Sequence, residues 1–193
     1  MSGVAGGRPS SRSAMSLKRS LVHIGRTMAT ASPSGYVKER VAAIEAVTKA
    51  CRLCERVFRQ LVTSETIIKK DKSPVTVADF GAQSVVNAIL LRHFPGDRIV
   101  GEEDSKDLRD SPATLQRVLE LANSVLEPGF PSGDELCDVI DQGNFEGGGS
   151  GRFWTLDPID GTKGFLRGEQ FAVCLALVED GRVTLYSEKN GTI

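Results

Sequence analysis

The sequence predicts an α+β fold, two long helices packed on an antiparallel sheet. Three observations carry that expectation. From Tyr36 to Val62, apolar residues recur at spacings of three and four: Val37, Val41, Ile44, Val47, Cys51, Cys54, Phe58 and Leu61. From about Val77 to His93 the pattern repeats, with Ala82, Val85, Val86, Ile89, Leu90 and Phe94 facing inward. Two short apolar runs, Phe153 to Leu156 and Phe171 to Val178, have the length of buried strands.

The remaining elements follow in order. Thr66 to Lys69 is a short strand candidate, followed by the turn "KKDKSP", where Pro74 drives Ser73 toward an extended conformation. Pro95-Gly96 ends the second helix, and Arg98 to Gly101 is a brief strand. Ser111-Pro112 is a helix start, serine as N-cap and proline in the first turn. A short helix from Asp134 to Asp141 and a "GGGSG" loop at 147–151 come next. Asp180-Gly181 is a hairpin signal, so Arg182 to Tyr186 pairs back on the preceding strand.

Composition narrows the function classes. Of the 193 residues, 40% are hydrophobic and 25% charged, which excludes a disordered chain or a coiled-coil rod. The apolar run from Phe171 to Val178 falls far short of the ~18 residues of a membrane helix, so no membrane partner is expected. A net charge of -1 lacks the basic excess of a nucleic-acid binder. The four cysteines, Cys51, Cys54, Cys137 and Cys174, are scattered in apolar surroundings, unlike a secreted disulfide framework. Cys51-x-x-Cys54 falls on the apolar stripe, where a free thiol packs as a small hydrophobe, and no second pair stands nearby to complete a zinc site.

The charge is unevenly spread. Residues 1–38 contain no acid, but include Arg8, Arg12, Lys18, Arg19, Arg26 and Lys38 and eight serines. Residues 1–35 are therefore read as a disordered, basic, Ser-rich leader, with the composition of a chloroplast or mitochondrial transit peptide. The alternative is a plain tail, or sequence upstream of a start at Met28, with a cytoplasmic protein. Residues 36–193 form the folded unit and carry all the acid, as suits a protein that binds cations.

Three acidic clusters carry candidate chemistry. In "WTLDPIDGTKGFLRG" a strand delivers Asp157, Pro158 locks the next φ, and Asp160, Gly161 and Thr162 follow. A regular strand sends Asp157 and Asp160 to opposite faces. A bend at Pro158-Ile159 brings both to one side and turns the Ile159 carbonyl outward. Two carboxylates and a carbonyl are the hard oxygen ligands that Mg²⁺ prefers. The N–H groups around Gly161 and Thr162 can hold a substrate phosphate. In "IVGEEDS" a strand ends at Gly101, before Glu102, Glu103 and Asp104, which taken alone read as solvated loop charges. In "KKDKSPVTVAD", Thr76-x-x-Asp79 fits a capping box, so Asp79 is either a helix cap or a functional acid.

Taken together and in order, K-x-D-x-S-P-V-T-x-A-D, G-E-E-D and W-x-L-D-P-I-D-G-T-K-G-F resemble the lithium-sensitive, Mg²⁺-dependent phosphatase superfamily of inositol monophosphatase. Lys163-Gly164-Phe165, where inositol monophosphatases usually have Thr-Asn-Phe, points to its bisphosphate nucleotidase branch. The resemblance covers about residues 36–183. It implies the N-terminal metal-binding lobe of an αβαβα sandwich. It implies that Glu102, Asp157, Asp160 and the Ile159 carbonyl bind metal, with Asp157 bridging. It implies that Asp79 and Thr162 form a dyad orienting the attacking water. The implied reaction is hydrolysis of the 3'-phosphate of adenosine 3',5'-bisphosphate (PAP), or of its sulfated form PAPS, to a 5'-nucleotide, a sulfur-metabolism step. An inositol-phosphate phosphatase is the alternative. The chain stops before the C-terminal α/β lobe of the family, which raises a further alternative: a truncated, catalytically inactive form acting only through binding. The sheet edge and helix face that meet the second lobe are then expected to be exposed and open to self-association.

Overall fold

The structure, a computed structural model, describes residues 35–63 and 73–191. The leader and the strand proposed at Thr66 to Lys69 lie outside the described residues. All described residues belong to the unit Pro33–Ile193.

Helices α1 (Val37–Thr63) and α2 (Ser73–His93) pack against each other and on one face of a four-stranded sheet. The strands are β1 (Arg98–Val100), β2 (Arg152–Asp160), β3 (Phe171–Glu179) and β4 (Arg182–Gly191), in that spatial order. β2, β3 and β4 are antiparallel, as expected, but β1 joins β2 parallel. A parallel neighbour requires a crossover. Here the crossover is residues 101–151, which carry α3 (Lys106–Arg109), α4 (Pro112–Asn123) and α5 (Gly133–Asp141). A last short helix, α6 (Thr162–Arg167), lies between β2 and β3, where no helix was expected. No helix among the described residues is long and apolar enough to cross a membrane.

The core lies between the helix pair and the sheet, and it corrects the phase expected for α1. Val37, Val41 and Ile44 are all more than half exposed. Val47, Cys51 and Cys54 are buried as expected, joined by Ala42, Ala43, Ala46, Ala50, Leu53 and Val57. Small side chains on that face let α2 approach closely, and this packing outweighs exposing three β-branched residues. Cys51 and Cys54 are buried free thiols. Burial, with Glu55 adding, pushes Cys51 up to about 11.

Other helix boundaries moved by about a turn or less, while β4 runs five residues past its expected end at Tyr186. α2 starts at Ser73, with Pro74 inside its first turn, where a missing N–H costs nothing. Ser111 does precede α4, but its hydroxyl pairs with Thr114 Oγ1 at 2.7 Å and does not cap the helix. Ser132 caps α5, accepting from Glu135 N at 3.2 Å. The hairpin forms as expected. Asp180 (φ 47°) and Gly181 (φ 74°) both take positive φ between the paired residues Glu179 and Arg182, which suits the twist of the flanking strands.

Candidate functional site

The far end of β2 departs from regular strand geometry. Asp157 lies opposite Cys174 on β3, and Asp160 lies opposite Ala172. Three steps along β2 therefore match two along β3, a bulge of one residue. The extra residue reverses the alternation, so Asp157 and Asp160 share the face of Cys174 and Ala172. The bend expected at Pro158-Ile159 is this bulge, and proline suits it because no ladder N–H is needed there. The opposite face, with Phe171, Val173 and Leu175, belongs to the core under the helices.

Cys174 senses both aspartates. Burial pushes its thiol up to about 11, and the carboxylates of Asp160, Asp157 and Glu188 add to the rise. The Tyr186 hydroxyl acts in the other direction, lying 3.5 Å from Cys174 Sγ while it also contacts Glu188 Oε2 at 2.6 Å. The sulfur, the two aspartates and Glu188 thus form one acidic region on the half-open face of the sheet. Oδ1 of Asp157 is buried within it.

The chain leaves β1 at Val100 into the loop that bears Glu102. The parallel register runs from Arg98 opposite Phe153 to Val100 opposite Thr155. The pairing ends there, two residues before Glu102. The loop is anchored by Gly101 N to Gly143 O at 2.7 Å, and by Ser105, whose N and Oγ donate to the two Asp141 carboxylate oxygens at 2.8 and 2.7 Å. Asp141 is consequently held below the ordinary carboxylate value. Burial opposes this, but the two Ser105 hydrogen bonds and Arg109 outweigh it.

Asp79 and Thr162 come from α2 and α6, which pack together. Because α2 starts at Ser73, Thr76 lies inside the helix and cannot be its N-cap. Asp79 is the seventh helical residue, so the capping role considered for it is excluded by geometry. It is half-buried and acts on Cys54, whose thiol is raised by burial first, then by Cys51 and Asp79. The Thr162 hydroxyl donates to the Ile159 carbonyl at 3.2 Å. Gly161 precedes α6 at φ 92°, a left-handed conformation that permits the sharp turn out of β2.

Lys163-Gly164-Phe165 has a partly structural explanation. A Cβ on Gly164 would lie 2.5 Å from the Gln170 carbonyl oxygen. Phe165 is fully buried, edge-on to Phe58 and Phe171 at centroid distances of 5.9 and 5.2 Å. Only Lys163 of the three is exposed to solvent.

The donor set of Glu102, Asp157, Asp160 and the Ile159 carbonyl is all hard oxygen, the chemistry of a Mg²⁺-type cation and not of zinc or copper. Among the described residues, no three or more His, Cys, Asp or Glu side chains are already gathered as a metal-binding group. The fit is therefore one of donor chemistry and strand-end placement.

Residues 37–185 match the inositol monophosphatase family, and the chain belongs to that family. It is 49% identical over 156 residues to the 3'(2'),5'-bisphosphate nucleotidase of Schizosaccharomyces pombe, covering 75% of this chain and 44% of that protein. It is 49% identical over 160 residues to 3'(2'),5'-bisphosphate nucleotidase 1 of Arabidopsis thaliana, covering 78% and 45%. With the Oryza sativa 3'(2'),5'-bisphosphate nucleotidase the identity is 44% over 168 residues, covering 82% and 47%. The chain thus spans a little under half the length of these curated relatives.

Proposed function

We propose that this member of the inositol monophosphatase family takes part in hydrolysing the 3'-phosphate of adenosine 3',5'-bisphosphate, with the sulfated analogue as a second substrate and Mg²⁺ as the cofactor. The observation that carries the reading is the bulge in β2. It sets Asp157 and Asp160 on one face of the sheet, in a chain whose relatives are named bisphosphate nucleotidases.

Glu102, Asp157, Asp160 and the Ile159 carbonyl are the proposed metal-binding groups. A carbonyl oxygen has two lone pairs, so Ile159 can accept from Thr162 and still face a cation. When bound, Mg²⁺ supplies charge to the phosphoryl oxygens and lowers the pKa of water. The Thr162 hydroxyl spends its one proton on Ile159, leaving its lone pairs to orient the attacking water. Asp79 is proposed as the base that takes the water's proton. The backbone N–H groups at Gly161 and Thr162 are proposed to hold the phosphate. The water oxygen bonds to phosphorus as the P–O3' bond breaks, the 3'-oxygen takes a proton from solvent while Asp79 returns its own to solvent, and the products are a 5'-nucleotide and inorganic phosphate.

The test is phosphate release from adenosine 3',5'-bisphosphate and from inositol monophosphate, with Mg²⁺ and with or without lithium. The proposal expects the adenosine substrate to be preferred and lithium to inhibit. Preference for the inositol ester would move the function to an inositol-phosphate phosphatase. Mg²⁺ binding without phosphate release from either would leave a binding role only.

A further inference from the structure

Gln83 is fully buried on α2, and its carboxamide is completely occupied. Its Oε1 accepts from the backbone N–H of Glu102 at 2.9 Å and of Glu103 at 3.0 Å. Its Nε2 donates to the Glu103 carbonyl at 2.6 Å and to the Ile140 carbonyl at 3.2 Å. A primary amide has two acceptor sites and two donors, and all four are used. This also settles the orientation of the amide, because the flipped form would point donors at donors.

The surrounding backbone is shaped to admit this group. A Cβ on Gly101 would lie 2.7 Å from the Gln83 amide carbon, and one on Gly143 would lie 2.8 Å from Nε2 and 3.0 Å from the Ile140 carbonyl oxygen. Two chain segments thus close on one side chain with no room for any residue but glycine. Asp79 stands four residues before Gln83, one turn away on the same side of α2.

We propose that Gln83 is a positioning residue for the metal-binding loop: it locks the backbone of Glu102 and Glu103 to α2, so that one helix sets the distance between the Glu102 carboxylate and Asp79. The inference rests on the reading of Glu102 as a metal-binding group. An alternative role, that Gln83 merely satisfies buried polar groups, predicts the same loss of stability on substitution but no effect on metal binding. Asn87, one turn further on, is the internal control. It is equally buried and donates to the Val139 and Ile140 carbonyls at 3.0 and 3.3 Å, but makes no bond to the 102–103 loop.

The experiment compares the full chain with Gln83→Met and Asn87→Leu. It measures Mn²⁺ affinity by electron paramagnetic resonance, amide hydrogen exchange at Glu102 and Glu103, and melting temperature. Methionine keeps the length and fills the volume while removing every hydrogen bond. Both variants should melt lower than the wild type. Only Gln83→Met should weaken Mn²⁺ binding, by about 10–100-fold as for other groups that orient metal ligands, and only it should speed exchange at Glu102 and Glu103. If Gln83→Met does not fold, Gln83→Glu, which keeps the acceptor for both amides but loses the donor, should give the same contrast at smaller amplitude. Unchanged Mn²⁺ affinity in the Gln83 variant, beside a wild type that binds, overturns the positioning role alone. A wild type that binds no Mn²⁺ overturns the metal reading of Glu102 and the positioning role with it.

Discussion

Strand β2 joins two sites that handle acidic residues in opposite ways. At its start, Arg152 Nε lies 3.0 Å from both oxygens of Asp97, while its terminal nitrogens meet Glu39 at 3.1 Å and Glu179 at 3.2 Å. The guanidinium stacks over Phe94 at 5.5 Å, and Trp154 Nε1 adds a 2.9 Å bond to Asp97. Three acids from α1, the β1 approach and β3 are thereby drawn onto one cation. At the far end, Asp157 and Asp160 are brought to one face by a bulge, and the backbone of the Glu102 loop is held by Gln83 of α2. At that end a strand bulge and amide hydrogen bonds set the backbone that carries the carboxylates. The first arrangement ties helix to sheet; the second carries the acids proposed to bind metal.

The comparison breaks most visibly if the far end is altered. Asp157→Asn should reduce Mn²⁺ affinity and turnover together, by more than about 100-fold, the range for a group that holds a catalytic ion. Its stability should stay within about 1 kcal/mol of the wild type, because relieving acid–acid repulsion offsets lost hydrogen bonding. Asp79→Asn should leave Mn²⁺ binding intact while turnover falls about 10²–10⁴-fold, as expected for a general base. Isothermal titration and phosphate release on the two variants separate these roles, and equal effects on binding would show that Asp79 also helps to hold the ion.

The near end should respond in the opposite sense. Arg152→Met strands three partly buried carboxylates, so unfolding by urea should show a loss of about 3 kcal/mol, the lower range for a broken buried ion pair. Mn²⁺ affinity should not change. A loss under about 1 kcal/mol would place the Arg152 cluster with ordinary surface pairs and erase the contrast between the two ends.

The smallest effect concerns the anchor of the Glu102 loop. Asp141 is held below its ordinary value of 3.8, burial opposing and the Ser105 bonds and Arg109 prevailing. A carboxylate with a lowered folded pKa contributes stability above its unfolded pKa and loses it as pH falls through the folded value. The stability gap between wild type and Asp141→Asn should therefore be constant at neutral pH and narrow below about pH 4. The gap itself should be no more than about 1 kcal/mol, since the side chain is a third exposed. Thermal melts across pH 2–7 check this, and a gap that widens in acid would reverse the assignment.

Much of this was legible residue by residue. The extent of α1, the Asp180-Gly181 hairpin and the buried strands around Trp154 and Leu175 follow from periodicity and turn chemistry, which act over a few residues. The Asp157-to-Thr162 segment was legible because proline, glycine and paired acids at that spacing have few structural uses. Gln83 was not. A glutamine among alanines and valines on a helix reads as a solvent-facing interruption, and its partners lie 19, 20 and 57 residues away. The local signal was its setting, one of three polar side chains, with Ser84 and Asn87, in a largely apolar stretch of α2.

The sequence by itself determined the two long helices, the main strands and the hairpin, though not the short α3 and α6, and that the folded residues carry the acid. Those properties depend on local sterics and on composition. Only the tertiary structure decided which face of α1 is buried, because that depends on how closely α2 approaches, and small side chains won over Val37, Val41 and Ile44. Tertiary structure alone also decided that β1 runs parallel to β2, and that the β2 bulge puts Asp157 and Asp160 on one face. Strand register is a pairing between distant segments, and the energy that selects it exists only once both are in place.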